Sequence, residues 1–189
     1  MVYHTALKGG KLENAEPAYT FFYGDSMAFQ HDIFNPYPSA YDKCDIIYFD
    51  PPWREGAKIF DERVGITGRS FEQLTGRISE LINQINTPVI LSCGKWGEKL
   101  LPTPDWAVET NLKGTVGQCF VYGYRTPYIG FSYGKDLLPL IAQKFNVLGN
   151  WFCGYGNVAF EAIKYNKKFI VSDYNPNCIG YIKSQLEAK

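Results

Sequence analysis

The chain has 189 residues, 46% hydrophobic and 16% aromatic, which suits one globular domain with a substantial core. Nineteen basic residues balance nineteen acidic ones; the basic surplus with which a duplex binder neutralises phosphate is missing, so tight non-specific attachment by this chain alone is not expected, while a local basic patch stays open. No stretch is long and apolar enough to span a membrane, the first residues carry no apolar signal core, the five cysteines are scattered without metal spacing, and there are only two histidines; the expectation is a cytoplasmic protein with reduced thiols and no metal.

Residues 1–17 are polar, carry Gly9-Gly10, and read as a loosely held lead-in. Residues 18–24 read as a strand, and 25–34 as a short helix or turn before Pro36 and Pro38 break the chain. Asp45 to Phe49 is a short apolar run rich in β-branched and aromatic residues, the mark of a buried parallel strand. It stops at Asp50-Pro51-Pro52-Trp53, because two successive prolines lack N–H groups and fix φ. Residues 54–69 show no apolar periodicity. Ser70 and Gln73 form a capping-box pattern, followed by Leu74, Ile78, Leu81, Ile82 and Ile85 at helical spacing. Residues 88–93 read as another buried strand, and 108–112 with 119–124 as an antiparallel pair at one edge. A helix over 137–145 leads into a strand over 146–152, a turn Cys153-Gly154-Tyr155-Gly156, a helix over 158–165 and a strand Lys168 to Asp173. No repeat or second domain is visible, so 1–189 reads as a single domain without a separate target-recognition region.

Two turns carry chemistry. At the carboxyl end of a strand in an open α/β sheet, where ligands bind, Asp50 and the Pro51 carbonyl offer two acceptors and Trp53 a stacking face. That set suits an exocyclic amine on a planar ring: two acceptors drawing its hydrogens out of plane localise the lone pair for attack. The same four residues also read as a strand-terminating turn with a surface Trp. In the second half, Gly154 and Gly156 allow close backbone approach to a ligand, and Asp173 at the next strand's end can accept from ribose hydroxyls.

Asp50-Pro51-Pro52-Trp53 resembles the Asp-Pro-Pro-aromatic motif of the amino-methyltransferases, which methylate adenine N6 or cytosine N4 in nucleic acids. Asn150-Trp151-Phe152-Cys153-Gly154-Tyr155-Gly156 resembles that family's Asp-x-Phe-x-Gly-x-Gly turn for S-adenosylmethionine, with Phe152, Gly154 and Gly156 matching and Asn150 replacing the leading Asp. Asp173-Tyr174-Asn175-Pro176 resembles the segment of its ribose-binding acid. Tyr23-Gly24-Asp25 resembles the Gly-Asp before the catalytic strand, which implies that Asp25 lies near the cofactor's adenine amine. The segment around Lys135 resembles the start of the helix before the cofactor turn, with Asp136 where Pro is common. Catalytic turn first and cofactor turn last is the permuted order of the β-type enzymes.

The resemblance implies a Rossmann-like α/β sheet, mostly parallel with an antiparallel edge, and S-adenosylmethionine-dependent methylation of adenine N6, with DNA favoured over RNA. Asp50, Pro51, Pro52 and Trp53 would be catalytic; Asp25, Lys135, Phe152, Gly154, Gly156 and Asp173 would hold the cofactor. Arg54, Lys58, Arg63 and Arg69 make 54–69 either a nucleic-acid-contacting lid or a solvated loop of balanced charge. Arg125, with Tyr122, Tyr124 and Tyr128, either grips a nucleic acid strand or belongs to a packed edge hairpin. Only about forty residues separate Cys93 from Lys135, too few for a large base-reading region beside the expected strands. Specificity is then short and loop-encoded, or supplied by a homodimer or a specificity subunit. The alternatives are an RNA adenine methyltransferase, a non-catalytic methyltransferase-fold subunit, and a small-molecule or protein-amide enzyme, the last disfavoured by Asp rather than Asn at position 50.

Overall fold

Eight strands pair into one mixed sheet in a computed structural model that describes residues 18–51, 70–110, 119–132 and 136–188. The strands are β1 (Thr20–Tyr23), β2 (Ser26–Gln30), β3 (Ile46–Phe49), β4 (Val89–Gly94), β5 (Trp106–Thr110), β6 (Cys119–Tyr124), β7 (Val147–Asn150) and β8 (Lys168–Asp173). Their spatial order is β1-β2-β8-β7-β3-β4-β6-β5. The five from β2 to β4 run parallel. β1 lies antiparallel on β2, and β6 lies antiparallel between β4 and β5. This is the expected mostly parallel α/β sheet, with antiparallel pairing at both edges rather than one.

The helices are α1 (Phe71–Gln84), α2 (Gly97–Leu100), α3 (Leu137–Lys144), α4 (Asn157–Lys164) and α5 (Pro176–Glu187), with a 3-10 turn at Ser39–Lys43. Alternate strand residues face opposite layers. Ile46, Tyr48, Ile90, Leu148, Phe169 and Val171 pack with α3, α4 and α5. Ile47, Phe49, Leu91 and Ile170 pack with Tyr41 and with Leu74, Ile78, Leu81 and Ile82 of α1. The Ser70–Gln73 capping box forms as the sequence predicts. Arg77 then ties α1 to the loop after β2, donating from Nε to the Ile33 carbonyl at 2.9 Å and from a terminal nitrogen to the Asn35 carbonyl at 3.0 Å.

The structure differs from the sequence reading in β2 and in added helices, α2, α5 and the 3-10 turn, and β7 stops at Asn150 rather than at 152. Much of 25–34 is a strand, β2, and neither helix nor turn. Ser26 and Ala28 are buried while Met27 and Phe29 are half-buried, and the strand pairs β8 over four residues. Gly24, at φ 57°, starts a two-residue hairpin turn that brings Tyr23 opposite Ser26. Helix α5 is an addition: the Asn175 side chain caps it by accepting from the Asn177 N–H at 3.0 Å, with Pro176 in its first turn.

Tyr41, on the 3-10 turn, is fully buried beneath β7 and β8. Its hydroxyl donates to the Asn150 carbonyl at 2.8 Å and shares a hydrogen bond with the Ser172 hydroxyl at 2.6 Å. Burial drives its phenol pKa well above the ordinary value, so it stays a neutral donor. Tyr41→Phe removes that bridge and leaves buried acceptors unsatisfied, and is expected to cost about 1–3 kcal/mol in urea unfolding. Unchanged stability would show that the hydroxyl is not what ties the 3-10 turn to the sheet.

Candidate active site

From β3 the chain crosses outward through α1 to β4; from β7 it crosses outward through α4 to β8 on the other side. β3 and β7 are neighbours, so the strand order diverges between them. The crevice at the carboxyl ends of such a pair is where open α/β sheets bind ligands.

Register defines what meets there. Ile46 pairs with Leu148 and Ile47 with Gly149, so β3 and β7 end side by side, and Asp50 and Phe152 follow those ends. Asn150 pairs with Val171 at the end of β7; past it the Phe152 N–H turns to the Asn150 side chain at 2.7 Å and the Cys153 N–H takes the Ser172 carbonyl at 2.9 Å, a one-residue bulge that brings Cys153 beside Asp173. Asp50, Phe152 and Asp173 thus gather at the carboxyl ends of three neighbouring strands, and two inter-strand spacings set the two acids roughly 10 Å apart. Ring packing ties these ends together: Phe49 stacks on Trp151 with centroids 4.7 Å apart and lies 6.0 Å from Phe152.

Asp173 is nearly buried and both of its oxygens already accept. Oδ2 takes the Gly154 N–H at 2.9 Å and Oδ1 takes the Asn175 N–H at 3.0 Å. Burial pushes its carboxyl above the usual carboxylate range, while these N–H groups, joined by the Cys178 thiol, pull it down. With the Tyr174 N–H these donors number four, about the acceptor positions of a carboxylate, so an incoming hydroxyl would take the place of one of them. The turn before it is tight. Gly154 has φ 46° and Gly156 φ 82°; a Cβ at Gly156 would fall 2.6 Å from Ile182 Cγ1. Gly156, which precedes α4, has no side chain with which to cap it, and among the described residues no side chain accepts from its first-turn N–H groups.

Asp50 is half-buried and Pro51 buried. Burial, then the Asp50 charge, raises the Tyr48 phenol. Burial, with Cys119 and Asp50, raises the Cys93 thiol. All five cysteines are free and buried. Pro52, Trp53, Arg54, Lys58, Arg63, Arg69 and Lys135 lie outside the described residues.

Two expected site residues stand elsewhere. Asp25 sits in the β1–β2 turn and forms an exposed ion pair with Lys168 at 2.6 Å. Lys168 starts β8 and Asp173 ends it, so Asp25 lies about 16 Å away at the opposite end of the sheet. Arg125 follows β6, which runs against β4 and pairs Tyr124 with Val89. It too is at the amino ends of the parallel strands, 3.4 Å from the Thr87 carbonyl. Tyr122 and Tyr124 are buried hairpin packing, as the second reading of that segment had it.

His31 and Asp32 are the polar residues that β2 does deliver to the carboxyl end. Gln30 pairs with Asp173, the His31 N–H donates to the Asp173 carbonyl at 2.9 Å, and Asp32 caps the next turn through the Phe34 N–H at 3.0 Å. The alternation of β2, read as a strand, would have pointed to them. Trp151, whose ring carries Phe49, and Cys178, which donates to Asp173, were given no role at the site by the sequence reading.

No family model matches the sequence and no curated protein matches it. Solved structures do. The complex of M1.HpyAVI with SAM superposes with a TM-score of 0.51 at 11% identity, covering 84% of this chain and 98% of that one. M1.HpyAVI alone gives 0.49 at 12% identity over 84% and 97%. TTHA0409 of Thermus thermophilus, provisionally a DNA modification methylase, gives 0.48 at 8% identity over 76% and 86%. At these identities the first likeness establishes the fold alone: this chain has the fold of M1.HpyAVI.

Proposed function

We propose that this chain transfers a methyl group from S-adenosylmethionine to the N6 amine of adenine in DNA. The observation that supports the reading is the gathering of Asp50, Phe152 and Asp173 at the carboxyl ends of β3, β7 and β8, where the strand order diverges.

The residues present fit the cofactor. Asp173 ends β8 beside the glycine turn, where a ribose hydroxyl would replace one of its present donors. Gly154 and Gly156 leave the turn bare of side chains, and the uncapped start of α4 offers N–H groups to a carboxylate. Asp32 takes the part first assigned to Asp25, as the acid nearest a bound adenine. Lys135 precedes α3 and is proposed to reach the same ligand. When bound, the cofactor supplies an electrophilic methyl on a sulfonium that departs as a neutral thioether.

The chain's own work is positioning. Asp50 and the Pro51 carbonyl accept the two amine hydrogens and turn the lone pair toward the methyl group. The Asp50 charge stabilises an amine becoming cationic. Trp53 stacks on the base, which a duplex must flip out to deliver. Arg54, Lys58, Arg63 and Arg69 belong to the connection between Pro51 and Ser70, both flanks of which are at the catalytic end, and are proposed to contact phosphate. The second reading is RNA adenine methylation, favoured by the short connection between β4 and β5, which leaves no room for a large base reader. A homodimer or specificity subunit would supply that reader for DNA.

Asp173→Ala is expected to weaken S-adenosylmethionine binding by about 1–3 kcal/mol in calorimetry, the loss of charge-assisted hydrogen bonds; unchanged affinity would remove Asp173 from the site. Asp50→Ala should keep the fold and most cofactor affinity but lose methyl transfer, roughly a hundredfold or more, with Asp50→Asn also strongly impaired. A variant with full turnover takes Asp50 out of the mechanism. Sequencing of modified bases in a complex DNA substrate should find sites sharing only a few positions around one adenine, with steep inhibition by salt. A long, strictly required palindrome read by the isolated chain contradicts this.

A further inference from the structure

Beside the proposed amine site stands an aromatic that the reading above leaves unused. Trp96 follows β4, the neighbour of β3. Phe49, the last residue of β3, pairs with Leu91, and β4 runs on to Gly94, so Trp96 stands two residues past β4 at the same end of the sheet as Asp50 and Pro51. Its turn is clamped. A Cβ at Gly97 would fall 2.7 Å from Cys93 Sγ and 2.8 Å from Tyr122 Cε2, so the chain seats there only as glycine. The indole meets Phe71, the first residue of α1, edge-on at 5.1 Å and 85°. Phe71 opens the described chain beyond the connection that leaves the Asp50 turn. The Trp96 ring is therefore held between the two elements that flank the proposed amine site.

Its Nε1–H is screened from water and has no acceptor among the described residues. Folded proteins rarely keep a buried donor without an acceptor, and at the ligand-binding end of a sheet the missing acceptor can belong to a ligand that displaces what covers the donor. An adenine whose amine hydrogens go to Asp50 and Pro51 presents ring acceptors on either side of that amine, N1 and N7.

We propose that Trp96 contacts the substrate base, its Nε1–H donating to N1 or N7 of the adenine that Asp50 and Pro51 hold. The inference rests on the methyl-transfer reading and adds a base-selecting group to it. A ring nitrogen beside the amine, and not the amine alone, is then part of what the site recognises.

The test compares wild type with Trp96→Phe, which keeps an aromatic ring and removes the donor, on oligonucleotides carrying adenine, 1-deazaadenine or 7-deazaadenine at the methylated position. Trp96→Phe should retain its melting temperature and its S-adenosylmethionine affinity and lose about tenfold in kcat/KM on adenine, the order expected for one buried hydrogen bond. One of the two deaza bases should cost wild type a similar factor and cost Trp96→Phe nothing further, since the same bond cannot be lost twice. Equal kcat/KM for wild type and Trp96→Phe, or fully additive losses, overturns the role of Trp96 and leaves the methyl-transfer reading standing. Wild type that binds the cofactor yet methylates no adenine oligonucleotide overturns both.

Discussion

The pairing of β3 with β7 is the constraint on which the site depends. Only two registered residue pairs join them, Ile46 with Leu148 and Ile47 with Gly149. Yet that short ladder decides that a turn from the first half of the chain and a turn from the second reach the same height in the sheet. Because side chains alternate with a period of two, a slip of one residue would exchange the faces of every β3 side chain and shift Asp50 along the sheet relative to Asp173. The ladder is held from both ends. At its start, the Asp45 carboxylate accepts the Asn146 and Val147 N–H groups at 2.8 and 3.1 Å. At its finish, Phe49 stacks on Trp151. Sites that act by positioning need this kind of support, since a displacement of about 1 Å can cost a hundredfold in rate.

The polar groups of the site are fixed by neighbours that do no chemistry themselves. Asp173 is oriented by N–H groups from its own turn and from the glycine turn, so the acid and the Gly154 backbone form one unit. The Tyr41 hydroxyl joins the last residues of β7 and β8 from below. Its ring packs with Phe29, Tyr37 and Trp151 in an aromatic layer under the crevice. A stiff apolar floor with a few aimed acceptors on top is the usual build of a small-molecule site.

Much of this was legible in the sequence because its signals are local. A β-branched apolar run stopped by two prolines can only be a strand that ends at Asp50; a strand, a glycine turn, a helix and a strand ending in Asp173 can only be a βαβ unit. What was not legible needed strand direction. Gly24-Asp25 looks alike whether it closes a hairpin at one end of the sheet or follows a strand at the other. With β2 unrecognised in five residues, Asp25 was assigned to the wrong end and Asp32 passed over. The position of Arg125 was hidden for the same reason: it follows a strand, but β6 is antiparallel, so following it leads to the other end of the sheet. Tyr41 and Trp96 carry no periodic or motif signal, and their importance comes from packing between distant segments.

The most direct measurement is of the product. The purified chain is incubated with isotopically labelled S-adenosylmethionine and separate DNA and RNA pools, and the nucleic acids are digested to nucleosides for mass spectrometry. A site built from the Asp50 and Asp173 turns should yield labelled N6-methyl-2′-deoxyadenosine from the DNA pool. Label on cytosine N4 or on protein, or no transfer to either pool by a chain that binds the cofactor, would contradict it.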